Sequence, residues 1–272
     1  MALLNPTLIA ELLALGLVVG FLAGLLGVGG GMMMVPVLTL LLTQRGVPGG
    51  AAVKMAIATS MATIIFTSLS SLRAHQAMGH VRWPVVRGIA PGIVAGSLLA
   101  GAGAFALLKG QALAFGFAGF MTYMALQMLR GSQPRPEREL PGSLGLLAVG
   151  GVIGFVSALV GAGGAFLSVP FMTWCNVPPR HAVGTSSALG FPIALASTLG
   201  YVVSGSSLPP ALPGAVGYLY LPALVLVSIA SMSLAPLGAR AAQRLPVATL
   251  KRLFAVLLLG LAASMLWRAL GS

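Results

Sequence analysis

Acidic residues are nearly absent from this chain. Only three of its 272 residues are acidic, all of them Glu, and Asp, Glu, Lys and Arg together make up 7%, against about a quarter in an ordinary soluble domain. This shortage excludes a water-soluble globule. The single cysteine, Cys175, excludes an intramolecular disulfide and a multi-cysteine metal site. The absence of Asp excludes a paired-aspartate enzyme, and no His-Glu-x-x-His or Gly-x-Ser-x-Gly motif occurs.

Apolar residues take the place of the missing charges and make up 58% of the chain. Residues 12–44, 140–179 and 181–239 contain no Asp, Glu, Lys or Arg, and each run exceeds the roughly 20 residues that span a bilayer. The sequence therefore predicts a polytopic membrane protein. Since no basic residue precedes the first apolar run, we do not expect a cleaved signal peptide.

The remaining charge is strongly basic, with a formal net charge of +12. In a soluble protein such a charge would suggest a nucleic-acid partner. Here the Lys and Arg residues are scattered over short loops, where they indicate membrane topology instead. We expect no nucleic acid as a partner.

The chain contains two copies of one unit. Residues 20–30 resemble residues 154–164, and at the same offset Val35-Pro36 matches Val169-Pro170. Further along, 58–60 resembles 184–186 and 79–84 resembles 217–222. We therefore divide the chain into a first repeat (1–130), a polar linker (131–142) and a second repeat (143–272).

Glycine and proline clusters divide each repeat into five helical segments. The first repeat has predicted helices near 6–26, 31–43, 49–74, 84–106 and 110–130. The second has predicted helices near 143–160, 164–175, 179–205, 215–240 and 247–269. Small residues at four-residue spacing before each glycine cluster (Gly16, Gly20 and Gly24; Gly150, Gly154 and Ala158) indicate close helix packing. The predicted fold class is an all-α integral membrane protein with glycine-broken short helices.

Basic residues predict the orientation, because cytoplasmic loops carry the Lys and Arg excess. The arrangement that best separates them has a cytoplasmic group and a smaller external group. The cytoplasmic group is Arg73, Arg82, Arg87, Arg130, Arg135, Arg138, Arg180, Arg240, Arg244, Lys251 and Arg252. The external group is Arg45, Lys54, Lys109 and Arg268. This orientation inverts one repeat relative to the other. It places both termini outside and the linker in the cytoplasm, in the cell (inner) membrane.

The two glycine clusters are the sharpest chemical feature. Unpaired backbone in hydrocarbon costs several kcal/mol, so a helix break is tolerated only where protein or a watery cavity receives it. The short helix after each break directs free N–H groups and about half a positive charge toward the glycines, which outlines an anion site. The candidate residues are Gly27, Gly29, Gly30, Gly31, Met32, Gly161, Gly163, Gly164, Ala165 and Phe166.

Hydroxyl side chains recur at one place in both repeats. Thr59, Ser60, Thr185, Ser186 and Ser187 could add hydrogen-bond donors for an anion. The alternatives are that these hydroxyls bond their own helices, and that the glycines serve only close packing. A dinucleotide-binding loop is disfavoured, because the first cluster lacks the final Gly of that motif and follows a membrane helix rather than a strand.

Charged and soft side chains near the predicted site have plainer interpretations. Lys54, Arg180 and His181 could steer or gate an anion at the cavity mouth, although Arg180 could instead serve topology alone. Glu11 is either a proton relay or a solvated interface residue, with the latter favoured. His75 and His80 are expected to be solvated, and Met32 to Met34 to serve packing rather than metal binding.

These motifs carry a family resemblance. Residues 24–31 with Val35-Pro36, residues 161–164 with Val169-Pro170, and residues 183–186 resemble the TauE/SafE family of membrane proteins, known as sulfite exporters. The resemblance covers essentially the whole chain and implies an anion carrier. Members of the family are associated with export of sulfite, sulfoacetate and related sulfonates, and many have no assigned solute. The chain departs from this pattern at Ala165, which stands opposite Gly31 and leaves open whether the two halves contribute equally.

The predicted function is a secondary transporter, working as an exporter, that binds a small sulfur oxyanion at the repeat interface and exposes it alternately to each side. The alternatives are a passive anion channel and a transporter of a carboxylate or a metal ion. The expected partners are the anionic solute and the lipid bilayer. We expect no catalytic residues, no cofactor and no resident metal. The sequence leaves the oligomeric state open, with a dimer among the options.

Overall fold

The computed structural model describes residues 6–26, 30–130, 138–206, 208, 211–241 and 247–271. In these ranges the chain is almost entirely helical. The helices are α1 (Pro6–Leu26), α2 (Gly31–Gln44), α3 (Gly49–Ala77), α4 (Trp83–Leu98), α5 (Phe105–Leu107), α6 (Gly110–Arg130), α7 (Ser143–Val160), α8 (Ala165–Trp174), α9 (Pro179–Gly205), α10 (Leu221–Ala241) and α11 (Val247–Gly271). A π-helical turn, Leu99–Ala104, joins α4 to α5.

This architecture confirms the predicted all-α membrane fold. Within the described ranges, 7 helical stretches are long and apolar enough to cross a bilayer. Helices α2 and α8 have 14 and 10 residues, so they are about 21 and 15 Å long at about 1.5 Å per residue. They are shorter than the ~30 Å hydrocarbon core. Both short helices follow a glycine break, as predicted.

One predicted helix begins at the wrong residue. The segment expected near 215–240 starts instead with a two-stranded hairpin, β1 (Ala215–Val216) and β2 (Leu219–Tyr220), and α10 begins only at Leu221. Gly217 occupies the two-residue hairpin loop with a φ of 55°, a conformation that glycine adopts without steric cost. The resemblance between 217–222 and the loop 79–84 therefore marks a loop followed by a helix in both halves.

The two sequence repeats are interwoven rather than separate. Helix α1 packs along α10, and its counterpart α7 packs along α4. The counterparts α3 and α9 pack against each other at the centre, as do α6 and α11. Exchanging the two repeats thus maps the main helix contacts onto themselves. Each of these helix pairs therefore joins the two repeats.

The predicted small-residue ladders lie where α1 meets α10 and α7 meets α4. A Cβ atom added to Gly20 would lie 2.3 Å from the Ser231 carbonyl oxygen, and one added to Gly154 would lie 2.3 Å from the Ile93 carbonyl oxygen. Such distances leave no room for a side chain, so the backbones touch. The ladders therefore have the packing role that the sequence favoured.

Candidate functional site

The two glycine breaks meet inside the protein. Gly27 and Gly29 lie outside the described residues, but Gly30 has a φ of 75° and α2 begins directly after it. A Cβ atom added to Gly31 would lie 2.2 Å from the carbonyl oxygen of Gly161, and one added to Gly161 would lie 3.1 Å from Val35 Cγ2. The first turn of α2 therefore packs directly on the second break.

The long helices beside the breaks give the molecule two distinguishable ends. At the first, which we call the aromatic end, Lys54 near the start of α3 lies beside Phe105 and Tyr218. At the other, which we call the histidine end, His80 follows α3 and lies beside His181 near the start of α9. Helices α3 and α9 are thus antiparallel. Since α2 precedes the start of α3 and α8 precedes the start of α9, the two short helices run from the shared centre toward opposite ends.

Each short helix starts with backbone amides that lack an acceptor. In α2, the amides of Met33 and Met34 donate to the Gly30 carbonyl oxygen at 3.2 and 3.3 Å, whereas those of Gly31 and Met32 have no acceptor among the described residues. In α8, the amides of Leu167 and Ser168 donate to Gly164 at 3.1 and 2.9 Å. The amides of Ala165 and Phe166 likewise have no described acceptor. Both N-termini thus retain the donors and the partial positive charge that attract an anion.

Ser60 lies at the N-terminus of α2. Its side chain is fully buried, and its Oγ atom would lie 3.1 Å from a Cβ on Gly31. In the described part of the protein this hydroxyl has no hydrogen-bond partner. The equivalent Ser186 is paired, because Ser168 on α8 donates to its Oγ at 2.9 Å. Met34 stands in α2 where α8 has Ser168, so of the two equivalent serines only Ser60 lacks a described partner. At the second break another buried hydroxyl without a described partner, that of Ser157 on α7, would lie 3.4 Å from a Cβ on Gly164.

The two predicted threonines link the halves. Thr59 Oγ1 accepts a hydrogen bond from the backbone amide of Tyr220 at 3.0 Å, and Thr185 Oγ1 accepts one from the amide of Arg82 at 3.0 Å. Tyr220 and Arg82 are equivalent positions in the two repeats, so the bonds are symmetric. Both threonines are fully buried. Their acceptor capacity serves to hold the loop of the opposite half against α3 or α9.

The remaining predicted centre residues are packed. Ser187 Oγ donates to the Val183 carbonyl oxygen at 3.1 Å and accepts from Ser71 Oγ at 3.2 Å. Met32 is fully buried, and the Phe166 ring stacks on Phe254 with centroids 6.4 Å apart. Gly30, Gly31 and residues 161–166 are all buried. The described centre of the protein is therefore closed to both sides.

The cations predicted at the mouths lie at opposite ends. Lys54 Nζ donates to the Ala106 carbonyl oxygen at 3.2 Å and lies 5.6 and 5.5 Å from the ring centres of Phe105 and Tyr218. Arg180 is exposed at the histidine end. The rings of His181 and His80 there have centroids 5.6 Å apart. Glu11 is exposed near the start of α1, which fits the favoured interface interpretation.

Burial shifts the pKa values of two loop residues at these ends, His80 and Tyr218. It lowers the pKa of His80, and the positive charges of His181 and Arg180 lower that pKa further. Burial raises the pKa of Tyr218, which stands at the equivalent place in the hairpin. Both side chains therefore favour their neutral form.

The prediction that His75 is solvated is wrong. His75 is buried, and its Nε2 lies 3.3 Å from the carbonyl oxygen of Gly24 in the last turns of α1. Tyr201, at the equivalent place in α9, donates through its hydroxyl to the carbonyl oxygen of Ala158 in the last turn of α7. Carbonyls at the end of a helix lack intrahelical partners, so these side chains cap the two broken helices. Extending the repeat alignment from Thr59 and Thr185 along α3 and α9 would have revealed this pair.

Comparison with known proteins agrees with this architecture. The family model described as "Sulfite exporter TauE/SafE" matches residues 12–265. A "Probable membrane transporter protein" of Haemophilus influenzae is 34% identical over 95% of this chain and 98% of its own length. One of Methanocaldococcus jannaschii is 26% identical over 88% of each chain. No solved structure matches. The protein is a multi-pass membrane protein and a membrane transporter, and the chain belongs to the TauE/SafE sulfite exporter family.

Proposed function

We propose that this transporter carries a small sulfur oxyanion, sulfite or an organosulfonate, by alternating access at the interface of its two halves. The observation that carries the proposal is the N-terminus of α2 beside the second break. There, two amides without a described acceptor lie near the Ser60 Oγ, which has no hydrogen-bond partner in the described ranges. A buried hydroxyl without a partner costs about 1–3 kcal/mol, so its place next to free amides favours a ligand that accepts hydrogen bonds.

The charge of the site favours an anion over a cation. Each short helix contributes about half a positive charge at its N-terminus, and the amides and the Ser60 hydroxyl can all donate. A cation such as Mg²⁺ or Ca²⁺ would need several oxygen ligands, usually with carboxylates among them. The described residues hold no cluster of His, Cys, Asp or Glu that could bind a metal. We therefore favour the oxyanion over a metal ion as the solute.

Alternating access is supported by the closed centre. The two breaks bury one another, so an open pore between them would require the two breaks to move apart. The interwoven packing provides two bodies for such a motion, one built on α1 and α10 and the other on α4 and α7. Inverted repeats placed in the inner membrane, with the linker in the cytoplasm and both termini outside, would place the site near mid-membrane. We expect the protein to form no covalent intermediate with its solute.

The experiment that tests this function is counterflow in proteoliposomes made with the purified full-length protein. Vesicles are loaded with unlabelled sulfite, and the uptake of external labelled sulfite is measured. Parallel vesicles loaded with sulfate, sulfoacetate, acetate or chloride receive the same labelled sulfite for comparison. A carrier shows transient accumulation driven by its own solute. A conductance without accumulation would indicate the channel. Accumulation of labelled acetate in acetate-loaded vesicles, with no accumulation of labelled sulfite in sulfite-loaded ones, would indicate a carboxylate carrier.

A ligand-binding measurement complements the transport assay. The thermal stability of the same preparation is recorded with each anion and with Mg²⁺ and Zn²⁺. A ligand present at 100 times its Kd stabilises the native state by about 2.7 kcal/mol. Stabilisation by metals but by no anion would refute the oxyanion assignment.

A further inference from the structure

A groove opens on the protein surface where α3 and α10 end. It has a volume of about 400 Å³ and is lined by Ser70, Arg73, Ala74, Met232, Pro236 and Arg240, among others. Arg73 lies in the last turns of α3, which ends at Ala77, and Arg240 lies one residue before the end of α10. The groove therefore lies at the level where membrane helices reach the lipid headgroups.

The polar character of the groove comes from two guanidinium groups. Pro236 has no N–H, which leaves the carbonyl of Met232 without its helical partner, and Ser70 Oγ donates to that carbonyl oxygen at 2.9 Å. The Ser70 hydroxyl proton is therefore engaged within the protein and is not a donor for a ligand in the groove. Arg73 and Arg240 are both exposed. With only three acidic residues in the whole chain, little within the protein can balance their charge.

At the equivalent place in the other half the two chain segments are in close contact. Leu199 and Ala102 stand where Arg73 and Arg240 would be, and a Cβ on Gly200 would lie 2.7 Å from the amide nitrogen of Ala102. The backbones touch there because glycine replaces Ala74. Leu199 is 53% exposed, as expected for a side chain facing lipid acyl chains.

The outer face of α10 beside the groove is also apolar. Ile229 and Leu237 are 62% and 52% exposed, and each lies three residues before a groove residue, Met232 and Arg240 respectively, so they are neighbours on the helix surface. In a bilayer such side chains contact acyl chains. The groove thus combines a lipid-facing apolar wall with two cations at its helix-end rim.

We propose that this groove binds the phosphate headgroup of an anionic phospholipid, with the acyl chains lying along α10. Guanidinium groups match phosphate oxygens in geometry as well as in charge, and basic pockets between membrane helices favour anionic headgroups. The predicted orientation places this groove at the cytoplasmic leaflet. The proposal is independent of the transported solute, because it uses neither glycine break.

The test uses the full-length protein in zwitterionic nanodiscs. Melting temperature and bound lipid, counted by native mass spectrometry, are recorded after addition of phosphatidylglycerol, of extra phosphatidylcholine, and of inorganic phosphate. We expect phosphatidylglycerol to raise the melting temperature by several degrees and to leave one retained lipid, while the other two additions have no effect. The affinity for phosphatidylglycerol should fall at least tenfold in Arg73→Gln and in Arg240→Gln, and further in the double variant. The retained lipid and the rise in melting temperature should decrease with it.

Arg87→Gln is the matched control. Arg87 is also exposed, lies on α4 and belongs to the predicted cytoplasmic group, but it does not line the groove. Its loss removes the same charge and should leave lipid retention unchanged. Equal losses in Arg87→Gln and Arg73→Gln would overturn the proposal in favour of a diffuse charge effect. An equal shift with inorganic phosphate would overturn it in favour of a free-anion site.

Discussion

The two glycine breaks share one backbone plan but differ in their chemistry. At the first, Gly31 opens the short helix, Met34 is buried and the Ser60 hydroxyl has no partner among the described residues. At the second, Ala165 opens the short helix, and Ser168 occupies the hydroxyl of Ser186. The repeat therefore preserves two helix N-termini but moves the hydroxyl without a described partner, from Ser60 on α3 at the first break to Ser157 on α7 at the second.

The scaffold around the breaks is more symmetric than the breaks themselves. Thr59 and Thr185 accept equivalent amide bonds from the opposite half. His75 and Tyr201 reach equivalent carbonyls of α1 and α7 although their side chains differ. Positions that define the architecture thus keep a hydrogen-bonding role, whereas positions at the candidate site have diverged.

The largest effect is expected from Gly31→Ala. Its new Cβ would lie 2.2 Å from the Gly161 carbonyl oxygen, and neither backbone can move without separating the breaks. Overpacking of this kind costs about 1–3 kcal/mol, and we expect it to abolish counterflow as well. The reverse change in the other half, Ala165→Gly, should preserve transport and cost about 1 kcal/mol at most. Similar losses in both variants, measured by melting temperature and uptake, would show that the breaks are equivalent.

Ser60→Ala and Ser186→Ala should separate binding from stability. Removing the Ser60 hydroxyl breaks no hydrogen bond with the described residues and relieves the cost of an unpaired buried polar group, so melting without ligand should not fall and is expected to rise. If that hydroxyl binds the anion, affinity should fall about tenfold or more, because hydrogen bonds to charged groups contribute about 1.5–3 kcal/mol.

Ser186→Ala should give the opposite pattern. It leaves Ser168 Oγ buried without its partner, which costs about 1–3 kcal/mol of stability, and we expect little change in affinity. Anion titrations followed by thermal shift measure both quantities on one sample. An unchanged anion affinity in Ser60→Ala would remove Ser60 from the site.

Tyr201→Phe should lower stability by about 1 kcal/mol, the typical contribution of one hydrogen bond. The change removes the hydroxyl that caps the Ala158 carbonyl and keeps the ring packed on Phe105, whose centroid lies 4.3 Å away. Tyr123→Phe is the control, because Tyr123 is 61% exposed. Equal melting temperatures for the two variants would mean that the cap contributes nothing.

Much of this fold could be predicted from the sequence because its determinants are local. Apolar runs of membrane-spanning length, the glycine clusters and the internal repeat specify helices whose observed bounds lie close to those expected. The exception is the start of α10. There the hairpin depends on Gly217 and on the bond between Tyr220 and Thr59, which joins residues distant in the sequence.

The candidate site was less accessible to sequence reasoning because it depends on packing between elements. The pairing of Ser186 with Ser168 requires α8 to lie on α9, and the isolation of Ser60 requires Met34 at the matching place on α2. The sequence could identify all the hydroxyls but could not tell which were already bonded. The groove between α3 and α10 likewise depends on how two helices pack, because Ala74 lines it where the equivalent Gly200 contacts the backbone of Ala102.

The smallest expected effect concerns the two loops that close the ends. Burial and the charges of His181 and Arg180 hold the pKa of His80 below its usual value near 6.5, and the ring of His75 lies 6.3 Å away, between centroids. As pH falls below about 6.5, the unfolded chain binds a proton at this residue before the folded protein does, so stability decreases through the folded pKa.

Melting temperature between pH 8 and 5 should fall less steeply in His80→Gln than in the unmodified protein. Tyr218→Phe, at the equivalent position, should leave the slope unchanged because the phenol is neutral throughout this range. A steeper slope in His80→Gln would mean that protonated His80 stabilises the histidine end, opposite to the sign that its surroundings dictate.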